Sequence, residues 1–304
     1  MNWFFIALGA PFLWAFVNIS DQYLVAKYQT GKRSSGGLVL FSSLIGLFVA
    51  GLILIFTKGI FNISLLDKGL LLLSGVITSI WIIFYLFALE IESVSTVVSW
   101  FLAIPIFGYV LGYIFLGETL SKGQWLGSLI ILLGVSLISI DFREQKKTIK
   151  WLPAFYMLLS CFLIASIGVI FKYVTVGADF WVSSYWEYLG LGISGILMFL
   201  FVPKYRREFI LMNKNGGRRI FTLNILSETT TIIGNLLTNY AILLAPVAMV
   251  YLVSSFQPAI LLFLTLLSTK FFPQIVREDL SKRALAPKVI AIIIITLGSI
   301  ILFI

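Results

Sequence analysis

Ten apolar runs dominate the chain, at residues 3–25, 38–56, 69–89, 94–116, 123–140, 151–174, 181–202, 220–244, 247–267 and 284–304. Each is close to the roughly 20 residues that a helix needs to cross the hydrocarbon core of a bilayer. The runs are apolar on all sides and do not alternate, which predicts helices and excludes barrel strands of about ten alternating residues. The first run follows Met1-Asn2 directly, without a basic segment ahead of it or a small-residue cleavage site behind it. It is expected to be retained as a span and not removed as a signal peptide.

The pattern also repeats. A proline-broken run, VSWFLAIPIFGYVLGYIFL, is followed by Gly117-Glu118-Thr119-Leu120-Ser121-Lys122 and a helix ending LLGVSLI. Later, VYLVSSFQPAILLFLTLL is followed by Glu278-Asp279-Leu280-Ser281-Lys282 and a helix ending TLGSIIL. Pro105 then matches Pro258, Glu118 matches Glu278 and Gly134 matches Gly298. In the opening helices, Phe12-Leu13-Trp14-Ala15 with Tyr23 matches Phe162-Leu163-Ile164-Ala165 with Tyr173, and further on Ala88 matches Ala241. A repeat of this length implies two copies of one unit. The expected division is residues 1–140, a charged linker at 141–150, and a second, diverged unit at 151–304. With five spans per unit, the second copy must enter the membrane in the opposite sense. The fold class is therefore all-α integral membrane, with ten transmembrane helices as two inverted five-helix repeats, an architecture of secondary transporters whose substrate site lies between the halves.

Composition narrows the chemistry. Of 304 residues, 60% are hydrophobic and 12% charged, and the mean hydropathy is +1.05. There is no histidine, so imidazole acid–base chemistry is absent. The single cysteine, Cys161, sits in an apolar run and cannot form an internal disulfide. No metal-ligand cluster, HExxH, aspartate-rich phosphate motif or phosphate-binding loop is present, so neither an enzyme nor an ATP-driven pump is expected. No cofactor or metal is expected either. The net charge of +9 comes from Lys and Arg in short loops, and does not point to nucleic acid. The loops after spans 1, 5, 7 and 9, together with Lys288 at the start of the tenth span, carry 18 of the 22 Lys and Arg residues. The positive-inside rule then puts that side in the cytoplasm and both termini outside.

The proline-centred fourth span, the Gly117-Glu118-Thr119-Leu120-Ser121 ending, the Gln124-Trp125-Leu126-Gly127 opening of the next span and its Leu133-Gly134-Val135 close resemble the EamA-type domain of the drug/metabolite transporter superfamily. The likeness covers essentially the whole chain and is stronger in the first half. It implies a ten-helix permease of the plasma (cell inner) membrane, usually an exporter of amino acids, metabolites or toxic organic compounds. It also implies cytoplasmic termini, opposite to the charge count. The second half departs from the family pattern at Ser268-Thr269-Lys270-Phe271-Phe272-Pro273 and in the insertion before Glu278.

Polar residues inside the spans are the candidate site. A charge near the bilayer centre costs about 2.5–3.5 kcal/mol on insertion scales and usually faces a cavity or a partner. Glu228, Thr231, Asn235 and Asn239 follow one another at steps of three, four and four, one stripe of a helix. A hydrogen-bonded helix seam is the competing reading of such a stripe. Trp14, Asn18 and Asp21 form a second stripe, and Trp81 with Tyr85 a third. Tyr251, Ser254, Ser255 and Gln257 surround Pro258, and Ser99 and Trp100 precede Pro105. The two proline-broken helices are expected to face each other across a central chamber. The predicted substrate-binding residues are Asn18, Trp81, Tyr85, Trp100, Glu228, Asn235, Tyr251 and Gln257. Their aromatic walls suit flat or cationic groups. Glu228 is also the expected proton-coupling residue, because a desolvated carboxylate binds a proton more readily than a solvated one. Glu118 is read as an acid at the start of the fifth span, near its N-cap Ser121. Glu90 and Glu92 are expected to be solvated, and Lys172 and Glu187 to snorkel from span ends.

The expected function is secondary transport of a small metabolite, amino acid or organic cation by alternating access. A flippase for a lipid-linked sugar is the alternative, and a membrane-embedded enzyme is a more remote one. The expected partners are a small-molecule substrate and the lipid bilayer, with no nucleic acid, and the chain is expected to be monomeric.

Overall fold

The computed structural model describes residues 2–28, 35–92, 94–139, 151–257, 259–264 and 282–301. Among these, every regular element is helical: α1 (Asn2–Tyr28), α2 (Gly36–Phe56), α3 (Leu65–Leu89), α4 (Val94–Ser99), a 3₁₀ turn (Trp100–Ala103), α5 (Ile104–Leu116), α6 (Lys122–Ser139), α7 (Trp151–Thr175), α8 (Phe180–Phe201), α9 (Pro203–Leu244), α10 (Val247–Ser254) and α11 (Lys282–Ile301). Among the described residues, seven stretches are long and apolar enough to cross a membrane: Asn2–Asp21, Gly36–Phe56, Leu65–Leu89, Thr96–Leu116, Trp151–Thr175, Phe180–Phe201 and Val247–Leu264. A shorter apolar stretch covers Val289–Ile301. Large apolar side chains such as Phe5, Ile55, Phe56, Ile114 and Phe201 are exposed on the outside of the bundle, as lipid-facing residues are. Pro258, Glu278 and the 141–150 linker lie outside the described residues.

Local sequence explains where helices begin and end. Ser64 caps α3 by accepting from Asp67 N, and Asp179 caps α8 by accepting from Trp181 N and Val182 N. Ser121 and Gln124 form a reciprocal capping box at the start of α6, with Gln124 Oε1 accepting from Ser121 N at 2.9 Å and Ser121 Oγ accepting from Gln124 N at 3.2 Å. The fourth predicted span is broken. Pro105 lacks an N–H and clashes with the carbonyl four residues back, so the chain passes through the 3₁₀ turn and restarts with Pro105 in the first turn of α5. Gly117, at φ 66°, ends α5 in the left-handed region that favours glycine.

One element differs from the sequence expectation. Residues 203–219 read as a loop, yet α9 is a single helix of 42 residues from Pro203 to Leu244. Pro203 opens it at a position where proline is tolerated, and good helix formers follow; only the Gly216-Gly217 pair argues against continuation.

Helices from the two ends of the chain interleave. α1 packs on α9 and α3 on α7; α2 packs on both α8 and α9, and α3 also on α8; α5 packs on α10 and α6 on α11. Small residues make the closest of these approaches possible. A Cβ on Gly75 of α3 would collide with the Glu187 carbonyl and Leu191 N on α8, and one on Gly190 with the Leu72 backbone. Ser43, Ser79 and Ser194 link their hydroxyls across the same α2–α3–α8 seam. At the α6–α11 seam, a Cβ on Gly134 would meet Ile295 and Ile294, while one on Gly298 would meet Ile131 and Ile130.

Candidate functional site

A cavity of about 170 Å³ lies between the interleaved helices. The α1 stripe contributes Trp14, Asn18 and Asp21. The stripe on α9 contributes Glu228, Thr231, Asn235 and Asn239. Trp81 and Tyr85 of α3 and Tyr251 of α10 supply aromatic wall, and Gln257 lies just past the end of α10. Seven of the eight residues singled out from sequence thus share one chamber. Trp100 is the exception: it lies in the 3₁₀ turn, against the apolar cluster of α3 and α7, and its carbonyl accepts a hydrogen bond from Cys161 Sγ. The turn that Pro105 imposes on the chain carries the indole away from the lining.

The polar network of the chamber has two parts. Tyr85 Oη donates toward Asn18 Oδ1 at 3.0 Å and Asp21 Oδ2 at 3.2 Å. Ser42 Oγ, from α2, donates to Glu228 Oε1. Further along α9, Asn239 Nδ2 donates to Glu187 Oε2 at 2.8 Å. Tyr251 Oη donates to the Ile164 carbonyl at 2.9 Å, which holds its ring against the wall. Asn18 is 4% exposed, and its Nδ2 has no protein partner.

Glu187 corrects a sequence expectation. It does not snorkel; it is 8% exposed and faces the chamber. Its position seven residues into α8 places it about 10 Å along the helix, too deep for its short side chain to regain water. Asp21, Glu187 and Glu228 therefore all line one chamber, and no Lys or Arg is among its described lining residues. Among the described residues, no three or more His, Cys, Asp or Glu side chains come together in a way that could hold a metal ion.

Two other expectations change. The two proline-broken helices do not face each other across the chamber at their described parts; α5 packs directly on α10, with Gly108 against Tyr251 and Ala248. Glu118 does not cap α6. Its Oε2 accepts from Val247 N, the first residue of α10, at 2.8 Å, and its Oε1 pairs with Lys172 Nζ at 2.7 Å. Lys172 also donates to the Ala245 carbonyl at 2.7 Å, so it too is tied down instead of snorkelling. Where α2 begins, Glu90 accepts from Ser35 N at 2.8 Å and Glu208 accepts from Gly36 N at 2.9 Å. Two carboxylates thus sit at the N-terminus of α2, where free N–H groups and the helix dipole favour negative charge. Glu90 is engaged there and not simply solvated.

Residues 1–140 match the model of the EamA-like transporter family. No curated protein matches the chain. Among solved structures, one whose title reads only "Crystal structure of protein" is similar to it, with a TM-score of 0.65 at 14% identity, covering 99% of this chain and 96% of the other. At that identity the likeness shows a shared fold and nothing about substrate. The chain is thus a multi-pass membrane protein whose residues 1–140 match the EamA-like transporter family.

Proposed function

We propose that the chain is a secondary transporter that carries an organic cation across the membrane by alternating access, exchanging it for protons at Glu228. The observation that carries this reading is the chamber itself: three carboxylates, aromatic walls and, among the described lining residues, no basic side chain. An anionic solute would meet uncompensated like charge there, whereas a cation pairs with the acids and with the faces of Trp81 and Tyr85. The same lining favours a cation over the phosphate of a lipid-linked sugar. When the cation leaves, a proton on the carboxylate keeps the chamber from holding a bare buried charge, which is the physical link between the two fluxes.

The ten-span inverted repeat is part of this proposal. Exchanging α1 with α7, α2 with α8, α3 with the second half of α9, and α6 with α11 turns the α1–α9 contact into α7–α3, and α2–α9 into α8–α3. It leaves α2–α8 and α6–α11 unchanged. Gly134 against Ile295 and Gly298 against Ile131 are likewise interchanged, as at an interface that lies on a two-fold axis. Such halves can rock about a fixed central site. The 18 Lys and Arg residues on one face favour that face as cytoplasmic, with both termini outside.

The test is uptake into proteoliposomes of a panel of organic cations, amino acids and nucleobases under an imposed pH gradient. Cation accumulation that follows the gradient and is lost in Glu228→Gln is the expected result. Wild-type uptake that ignores the gradient, or a preference for anions, would overturn the proposal.

A further inference from the structure

The chamber follows α9, and its acids sit at two levels along that helix. Glu228, Ile232, Asn235 and Asn239 of α9 all face it, and at 1.5 Å per residue the first and last are about 16 Å apart along the helix. At one end Glu228, bonded by Ser42, lies near enough to Asp21 to feel its charge. At the other, Glu187 is held by Asn239. Ile232, Leu191 and Trp81 supply apolar wall. One ammonium group cannot touch both ends.

Resting on the cation transport argued above, we propose that the solute is a linear polyamine, an extended chain with an ammonium at each end and methylenes between. In a triamine, one terminal ammonium pairs with Asp21 and Glu228 and the other with Glu187, the inner ammonium lies beside the Asn235 amide between them, and the methylenes lie along the apolar wall. The charge balance favours this occupant. A monocation leaves two of the three carboxylates to be neutralised by protons, whereas a triamine neutralises all three and spares the cost of a buried unpaired charge.

The Asn18 amide supports the same end of the site independently. Tyr85 has one hydroxyl proton for two acceptors, Asn18 Oδ1 and Asp21 Oδ2. With the amide turned end for end, Nδ2 donates to Tyr85 Oη and Tyr85 donates to Asp21, so the single hydroxyl proton has a single acceptor. Asn18 Oδ1 is then a buried acceptor without a protein donor, beside Asp21 and facing the chamber. A primary ammonium, with three N–H donors, can bond Asn18, Asp21 and Glu228 together.

The experiment is equilibrium binding to the full chain in lipid nanodiscs, comparing spermidine with an amino alcohol of matched length that has a hydroxyl in place of the far amine. Spermidine is expected to bind about tenfold tighter or more, the value of one charge-assisted contact. Glu187→Gln is expected to collapse that ratio toward one. Equal binding of the two ligands by the wild type, or a ratio unchanged in Glu187→Gln, overturns the polyamine assignment and leaves cation transport standing. Should Glu187→Gln fail to fold, the wild-type ratio alone decides. Failure of the wild type to bind either ligand or any other organic cation overturns both readings.

Discussion

The Glu118 carboxylate and the Lys172 ammonium lie 2.7 Å apart, joining the turn after α5 to the last part of α7. Both are largely shielded, at 13% and 15% side-chain exposure, and each also bonds the backbone at the α9–α10 junction, Glu118 through Val247 N and Lys172 through the Ala245 carbonyl. Four segments therefore meet at one ion pair. Breaking it leaves one charge desolvated and two backbone groups with weaker partners.

Glu118→Gln or Lys172→Met alone is expected to cost about 3 kcal/mol, the lower end of what removing one partner of a shielded pair costs. The double variant should lose little more than either single one, since the second change removes the orphaned charge. Thermal unfolding of the purified protein in detergent measures this; additive losses would show that the pair is not coupled.

The glycine contacts between α3 and α8 make a paired prediction. Gly75→Ala and Gly190→Ala each drive a methyl group into backbone of the opposite helix and should destabilise by about 1–3 kcal/mol. Gly51→Ala and Gly69→Ala, where a Cβ meets nothing within 4 Å, should be neutral or stabilise by about 0.5–1 kcal/mol. Melting temperatures of the four variants, taken together, check the helix pairing.

If α6 and α11 lie on a pseudo-two-fold axis, Gly134→Leu and Gly298→Leu are equivalent insults. Each should lower stability by a similar amount, and unequal losses in a melting comparison would count against the symmetry.

Topology has its own check. A reporter fused after Ile304 should be active in its extracytoplasmic form and silent in its cytoplasmic form, with a cysteine-accessibility label at Lys214→Cys reacting only from inside. The reverse pattern would mean that the family habit of cytoplasmic termini prevails over the charge count.

Much of the chamber was legible in the sequence, and the reasons for the rest are physical. Asn18, Glu228 and Asn235 announce themselves because polar groups at helical spacing within apolar spans need partners. Trp81 and Tyr85 share one helical stripe, so placing one places the other. Glu187 departs from the sequence reading because seven residues into α8 is already too deep for a short side chain to reach water, and Asn239 of α9 supplies a partner there. Glu118 was assigned to the nearest helix in sequence, whereas the dipole it complements belongs to α10, more than a hundred residues away. Pro105 correctly marked a break, but not the direction in which Trp100 would leave it. The 203–219 segment looked like a loop from its charge, and charge alone does not stop a helix.

The central claim, that proton and organic cation compete for the same buried carboxylates, is tested most directly by counting protons. In weakly buffered solution near neutral pH, addition of a saturating organic cation to the purified protein should release close to one proton per bound monocation, and Glu228→Gln should abolish most of that release. Cation binding to the wild type with no proton released would contradict the account.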